Sequence, residues 1–192
     1  MTILYKLIYW AGMVAQGIIR YPYQKTARAG LKTDRRVSRR EDILLGLMTL
    51  VALVLPLVYS LTPWLDFANY HLPVGLGICG IVLLLFSLVI FWRAHTDLKS
   101  NWSPSLEIRA DHTLVTDGIY RLVRHPMYAS QLLWVLAQVL LLQNGLAGPL
   151  DLLFFIPFYL LRVRTEEQMM LDRFGEQYRN YIKNTGSLIP RI

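Results

Sequence analysis

The sequence has little charge and a single cysteine. Of its 192 residues, 17% are Asp, Glu, Lys or Arg and 54% are apolar, and the mean hydropathy is +0.36. That balance excludes an ordinary soluble domain, in which charged residues make up about a quarter of the chain. The apolar excess calls for a non-aqueous solvent. One cysteine, Cys79, excludes intrachain disulfides and a cysteine-built metal site; its position in the middle of an apolar run reads as a small core hydrophobe. The sequence also contains no Gly-rich phosphate loop, internal repeat or low-complexity segment. The net charge of +7 is no sign of nucleic acid, because it is dispersed over loops. Its densest block, RAGLKTDRRVSRR at 28–40, lies between two apolar runs, where anionic membrane lipids are the nearest partner.

Long apolar runs are plentiful. Residues 43–61 and 72–92 hold no charged side chain and are long enough to cross a hydrocarbon core of about 30 Å. A third run, 3–19, contains Lys6. It lacks the basic leader and A-x-A site of a cleaved signal and is predicted to be a spanning helix. Runs 126–143 and 146–161 are separated only by Asn144 and Gly145, with Gly148 and Pro149 close behind, which predicts a tight helical hairpin. Pro157 should kink the last helix without ending it. The expectation is an all-α integral membrane protein of five transmembrane helices, the last two a hairpin over 126–161, with a cytoplasmic C-terminal helical cap. Residues 1–92 would form a three-span region with the basic loop 20–42, and 93–192 the catalytic and cofactor-binding region. Alternating the connecting segments places every Lys and Arg except Lys6 on one side. That side is predicted to be the cytoplasm, with the N-terminus outside and the C-terminus inside.

Two stretches on that side carry the unusual residues. The first, NWSPSLEIRADHTLVTDGIYRLVRHPMY at 101–128, has a turn at Asp117 and Gly118 and ends at a proline. Pro126 disfavours helical geometry at His125 and suits the first position of a helix. The free N–H groups of that turn, around Met127 to Ala129, together with the helix dipole make an anion site, flanked by Arg124 and His125. Equally open is a role for Arg121, Arg124 and His125 as interfacial anchors. The second stretch, 160–192, repeats Met170, Phe174, Tyr178 and Tyr181 at helical spacing and should form an amphipathic helix ending near Gly186. Either Thr165 and Gln168 cap its start, or the fifth span runs into it unbroken. Arg162, Arg164, Glu166 and Glu167 crowd the membrane junction and need partners, either one another, as in an Arg162–Glu166 pair, or a charged ligand.

HTLVTDGIYRLVRHPMY, WVLAQVLLLQN and RVRTEEQMMLDRFGEQYRNYIKNTGSLIP together resemble the isoprenylcysteine carboxyl methyltransferase family over roughly residues 93–192. The five-span form resembles its small prokaryotic members. The resemblance implies an S-adenosylmethionine-dependent methyltransferase. Its cofactor would be held by His112, Thr113, Leu114 and Val115, by Tyr120, by His125, Pro126, Met127 and Tyr128, and by Glu166. It further implies that Arg162 contacts substrate, and Arg124 is a second candidate for that contact. Two departures stand out: the acidic run is only Glu166 and Glu167, and His-Pro-Met-Tyr stands where eukaryotic members have His-Pro-Ser-Tyr.

The residue chemistry is compatible with this implication. A carboxylate suits the helix start, an ammonium suits Glu166 or Glu167, and an adenine suits Leu114, Val115 and Tyr120; no metal is needed. A carboxylate acceptor requires no base and can be clamped by Arg162. An amine acceptor, as in phospholipid N-methylation, requires proton removal by Glu167 or His125. The expected partners are a lipophilic small-molecule or lipid acceptor and membrane lipids. An NADPH-dependent membrane reductase of the sterol-reductase type and a non-enzymatic scaffold are the alternatives.

Overall fold

The structure, a computed structural model, describes residues 2–29, 32–35, 39–103, 107–109 and 112–191. The basic block at 28–40 therefore lies partly outside the described residues, and so does part of the 101–128 stretch. Helix α1 spans Thr2–Ala29; α2 (Arg39–Thr49), a π-helical segment (Leu50–Val54) and α3 (Leu55–Leu61) form one rod; α4 spans Val74–Leu98. Then come α5 (Pro126–Leu142), α6 (Pro149–Phe174) and α7 (Glu176–Asn184). Two helical segments among the described residues are long and apolar enough to cross a membrane, Glu41–Leu61 and Val74–Leu98, and Pro126–Leu142 is a shorter apolar helix.

A short two-stranded ribbon accompanies the helices of the all-α fold. Strand β1 (Lys32–Arg35) pairs antiparallel with β2 (Glu107–Arg109), Asp34 opposite Ile108 and Arg35 opposite Glu107. This ribbon ties the basic loop to the linker. The β-branched residues at 113–116 do not form a strand; they lie in irregular chain just downstream.

The packing follows from small residues and buried polar pairs. Helices α4 and α5 meet through reciprocal bonds: Ser87 Oγ donates to Ser130 O (2.9 Å) and Ser130 Oγ to Ser87 O (3.0 Å). A Cβ at Gly80 would come within 2.9 Å of Leu140, so only glycine permits this approach. Pro56 lacks an N–H and its ring crowds the carbonyl four residues earlier, Ala52. The π segment accommodates this, and the freed Ala52 carbonyl accepts a bond from Tyr9 Oη (2.8 Å). Tyr9 also donates to Gln138 Oε1 (3.1 Å), which joins α1 and α5 inside the core.

The connection between α5 and α6 is as tight as the sequence predicts, but Gln143, not a glycine, takes the left-handed conformation (φ 49°). Asn144 organises the turn: its Oδ1 accepts the N–H groups of Leu146 and Ala147, and its Nδ2 donates to Leu65 O and Asn69 Oδ1. Outward-facing Leu85, Phe86 and Val89 on α4 are more than half exposed, an apolar belt that suits acyl chains. Cys79 is exposed on the same helix. It is a small apolar group on the outer surface, not in the core as expected, because Gly77 and Gly80 occupy the packed face.

Candidate active site

The residues of interest gather where the chain enters α5 and leaves the apolar half of α6. Gly118 has φ +57°, and a Cβ there would lie 2.2 Å from Asp97 Oδ2, which instead accepts the Ile119 N–H (2.8 Å). The resulting turn, Gly118–Arg121, sends Tyr120 inward. Tyr120 Oη donates to Ala94 O (3.3 Å), and its carbonyl accepts from Tyr181 Oη (2.5 Å). Burial, reinforced by the negative charge of Glu166, holds the Tyr120 phenol well above its ordinary pKa, so it is a neutral hydrogen-bonding group. Arg121 is exposed and stands outside the site.

His125 precedes Pro126 with φ −124° and ψ 60°, and Pro126 opens α5 as the sequence predicts. The C-terminal tail clamps this corner: Arg124 N–H donates to Gly186 O (2.8 Å) and His125 N–H to Ser187 O (3.1 Å). Ala129 N–H makes the first helical bond, to His125 O (3.0 Å). The N–H groups of Met127 and Tyr128 are thus the ones outside the helical ladder, one position fewer than expected.

Helix α6 runs unbroken to Phe174 and α7 follows after Gly175, so the amphipathic pattern is shared between two helices. The Thr165 capping box does not form; Thr165 Oγ1 donates back to Leu161 O inside the helix (3.4 Å). Glu166 Oε2 accepts the Tyr128 hydroxyl (2.9 Å). Arg162 Nη1 pairs with Glu41 Oε1 of α2 (3.0 Å), a partner the sequence reading did not foresee. Glu167 Oε1 accepts from Arg124 Nε (3.1 Å) and Nη2 (2.9 Å) and from His125 Nε2 (2.9 Å). Burial disfavours its charge, yet the bonds from His125 and Arg124 outweigh this and hold the Glu167 carboxyl below the usual value.

These elements enclose a cavity of about 220 Å³. His112, Thr113, Leu114 and Val115 form one wall, fastened by Asn101, whose Oδ1 accepts the Thr113 N–H (3.0 Å). Tyr120, the corner His125, Pro126, Met127 and Tyr128, and Glu166 with Arg162 line the rest. The cofactor candidates of the sequence reading therefore share one cavity, with Arg162 among them.

Two of these residues are engaged by neighbours. Glu167 is not among the residues that line the cavity, and its carboxylate bonds Arg124 and His125. Arg124 does line it, but its guanidinium is committed to Glu167, Ile182 O and Thr185 O, which leaves little for a substrate. The sequence reading missed Arg20, Trp102, Gln131, Met169 and Tyr178 as lining residues. Arg20 resembles any interfacial anchor at the end of an apolar run, and only the packing of α1 against α4 shows its place.

Residues 79–172 match the isoprenylcysteine carboxyl methyltransferase (ICMT) family. Similar curated proteins include protein-S-isoprenylcysteine O-methyltransferases of Schizosaccharomyces pombe, 43% identical over 43% of this chain and 35% of that protein, and of Tribolium castaneum, 38% identical over 70% and 51%. The Homo sapiens enzyme of the same name is 28% identical over 70% of this chain and 51% of its own. The chain spans about half the length, or less, of these curated relatives. A solved structure, the eukaryotic intramembrane Ras methyltransferase ICMT, superposes with a TM-score of 0.57 and 25% identity over 97% of this chain and 63% of that one. The membrane nature read from the apolar belt agrees with these likenesses. The matched region contains both the corner at His125–Pro126 and the Arg162–Glu166 face of the cavity, and across it the chain is similar to the isoprenylcysteine carboxyl methyltransferase family.

Proposed function

We propose that the protein is an S-adenosylmethionine-dependent methyltransferase that esterifies a carboxylate on a lipophilic acceptor, such as an S-isoprenylated cysteine. One observation carries the reading: residues of the stretch 112–128 and of 162–166, both within the family-matched region, line a single cavity. The residues present fit the cofactor's chemistry. Leu114 and Val115 offer an apolar wall for a base, Glu166 an anion for an ammonium, and the unladdered N–H groups of Met127 and Tyr128 donors for a carboxylate.

When bound, the cofactor supplies an electrophilic methyl group on a positively charged sulfur. The protein's part is then to orient and to exclude water. Tyr128 fixes Glu166 by its hydroxyl bond; Glu41 fixes Arg162, which faces the acceptor; and the tail residues Gly186 and Ser187 fix the His125 corner. The amine-acceptor alternative would need a base to take a proton. Glu167 is held out of the cavity by two cationic or hydrogen-bonding partners, which favours the carboxylate acceptor.

The chain crosses the membrane five times, with α1 and the α5–α6 pair as the spans beyond the two clearly apolar ones. The cavity faces the cytoplasm, since the basic residues surround it, and the N-terminus lies outside. Calorimetric titration of S-adenosylhomocysteine into the detergent-purified protein tests the reading. Micromolar binding is expected. No binding by folded protein, with binding of NADPH instead, would transfer the chain to the reductase alternative.

A further inference from the structure

The ion pairs around the cavity leave one lining cation, Arg20, and one lining carboxylate, Glu166, without a partner of fixed charge among the described residues. The fixed charges that line it are Arg20, Arg124, Arg162 and Glu166. Arg124 is offset by Glu167 at 2.9 Å and Arg162 by Glu41 at 3.0 Å. Glu166 is bonded to the neutral Tyr128 hydroxyl. Arg20 alone of the three arginines has no carboxylate partner among the described residues. Its guanidinium carbon instead lies 5.2 Å from the Phe91 ring and 5.6 Å from the Trp102 ring, and its Nε is buried without a hydrogen-bond acceptor. Aromatic faces hold a guanidinium in place but do not neutralise it. A half-buried cation with no counter-ion beside a second arginine is electrostatically disfavoured unless a ligand supplies the missing charge.

Resting on the methyltransferase reading, we propose that Arg20 is the residue that selects a negatively charged acceptor, hydrogen-bonding the acceptor carboxylate opposite Arg162. The charge balance of the reaction supports this. Empty, the cavity carries one uncompensated cation, Arg20, and one carboxylate available to a ligand, Glu166, so the two sum to zero. The cofactor bears a sulfonium, an ammonium and a carboxylate, for a net charge of +1, and a carboxylate acceptor returns the total to zero. In the transfer, a carboxylate oxygen forms the new bond to the methyl carbon, the carbon–sulfur bond breaks, and its electron pair stays on sulfur. No proton moves, and the products, a thioether cofactor and an ester, are both without net charge. The site is therefore neutral before and after the step. A neutral amine acceptor would leave it at +1 throughout, with Arg20 still unmatched.

The test is a binding measurement without turnover. Protein saturated with S-adenosylhomocysteine is titrated with N-acetyl-S-farnesylcysteine and, separately, with its carboxamide, which has the same shape and no charge. Wild type should prefer the acid by about tenfold or more, the usual gain for a hydrogen bond to a charged group. Arg20→Gln should bring the acid down to the affinity of the amide while S-adenosylhomocysteine affinity stays within about twofold. Arg20→Met, whose chain can still rest on Phe91 and Trp102, decides the matter if the glutamine variant does not fold. An unchanged acid-to-amide ratio in either folded variant overturns the proposal and assigns Arg20 to a lipid phosphate at the interface. Loss of S-adenosylhomocysteine affinity with the acid preference intact also overturns it, and assigns Arg20 to the cofactor's carboxylate. If wild type binds neither S-adenosylhomocysteine nor the acid, the underlying methyltransferase reading fails, and this proposal with it.

Discussion

Arg162 on α6 and Glu41 on α2 form an ion pair of 3.0 Å between side chains only 11% and 7% exposed. A charged pair this deep is held by each partner's need of the other, and removing one leaves an unmatched buried charge that typically costs about 3–5 kcal/mol. Glu41 stands at the edge of an apolar span and does not itself line the cavity; we propose that it aims Arg162.

Replacing Glu41 by Gln should therefore separate two functions. Affinity for S-adenosylhomocysteine is expected to stay within about twofold, while KM for a carboxylate acceptor rises about tenfold as Arg162 loses its fixed orientation, the usual scale of one charged hydrogen bond. Calorimetry and initial rates on the same preparation check this. Equal losses of cofactor and acceptor affinity would show that Glu41 supports the whole cavity and not Arg162 alone.

Tyr128→Phe removes the 2.9 Å bond to Glu166 Oε2 together with the hydroxyl's contact to Arg162. The expected effect is a loss of about five- to tenfold in S-adenosylhomocysteine affinity, on the scale of about 1 kcal/mol for one hydrogen bond, with the thermal midpoint nearly unchanged.

Glu167 predicts a pH dependence. Its folded carboxyl lies below the ordinary 4.5, so its contribution to stability is complete above that value and is lost as pH falls through the lowered folded value. The thermal midpoint of wild type should thus fall more steeply below pH 4.5 than that of Glu167→Gln, which cannot titrate there. Parallel melting curves of the two proteins across that range would remove Glu167 from the clamp on Arg124 and His125.

Gly118→Ala puts a Cβ 2.2 Å from Asp97 Oδ2 on a backbone with φ +57°. The strain should cost more than about 1 kcal/mol and should move Tyr120, so both the melting temperature and S-adenosylhomocysteine affinity are expected to drop. Gly175→Ala, at a similar φ but in open space, should lower stability by the backbone cost alone and spare affinity.

Much of the site was legible because its groups lie close together in sequence or in a recognisable order. Pro126 dictates where α5 begins, Asp117 and Gly118 mark a turn, and 112–115 and 125–128 sit on either side of it. Arg20 and Glu41 were not legible as site residues. Each is a charged residue at the end of an apolar run, the commonest position for an ordinary interfacial anchor, and nothing local distinguishes them. The same holds for Glu167. Adjacent in sequence to Glu166, it points along a helix face about 100° away, toward Arg124 and not the cavity.

The order of residues alone specifies the solvent this chain needs and its landmarks. Apolar runs of spanning length suit a membrane, and prolines and glycines fix where helices start and turn, since these depend on composition and local geometry. Which charges meet depends on how the helices pack. That packing paired Arg162 with Glu41 and Arg124 with Glu167, and left Arg20 on its aromatic cradle without a carboxylate among the described residues. Ion pairing acts over a few ångströms in space regardless of separation along the chain, so it becomes readable only when the helices carrying the charges are packed together.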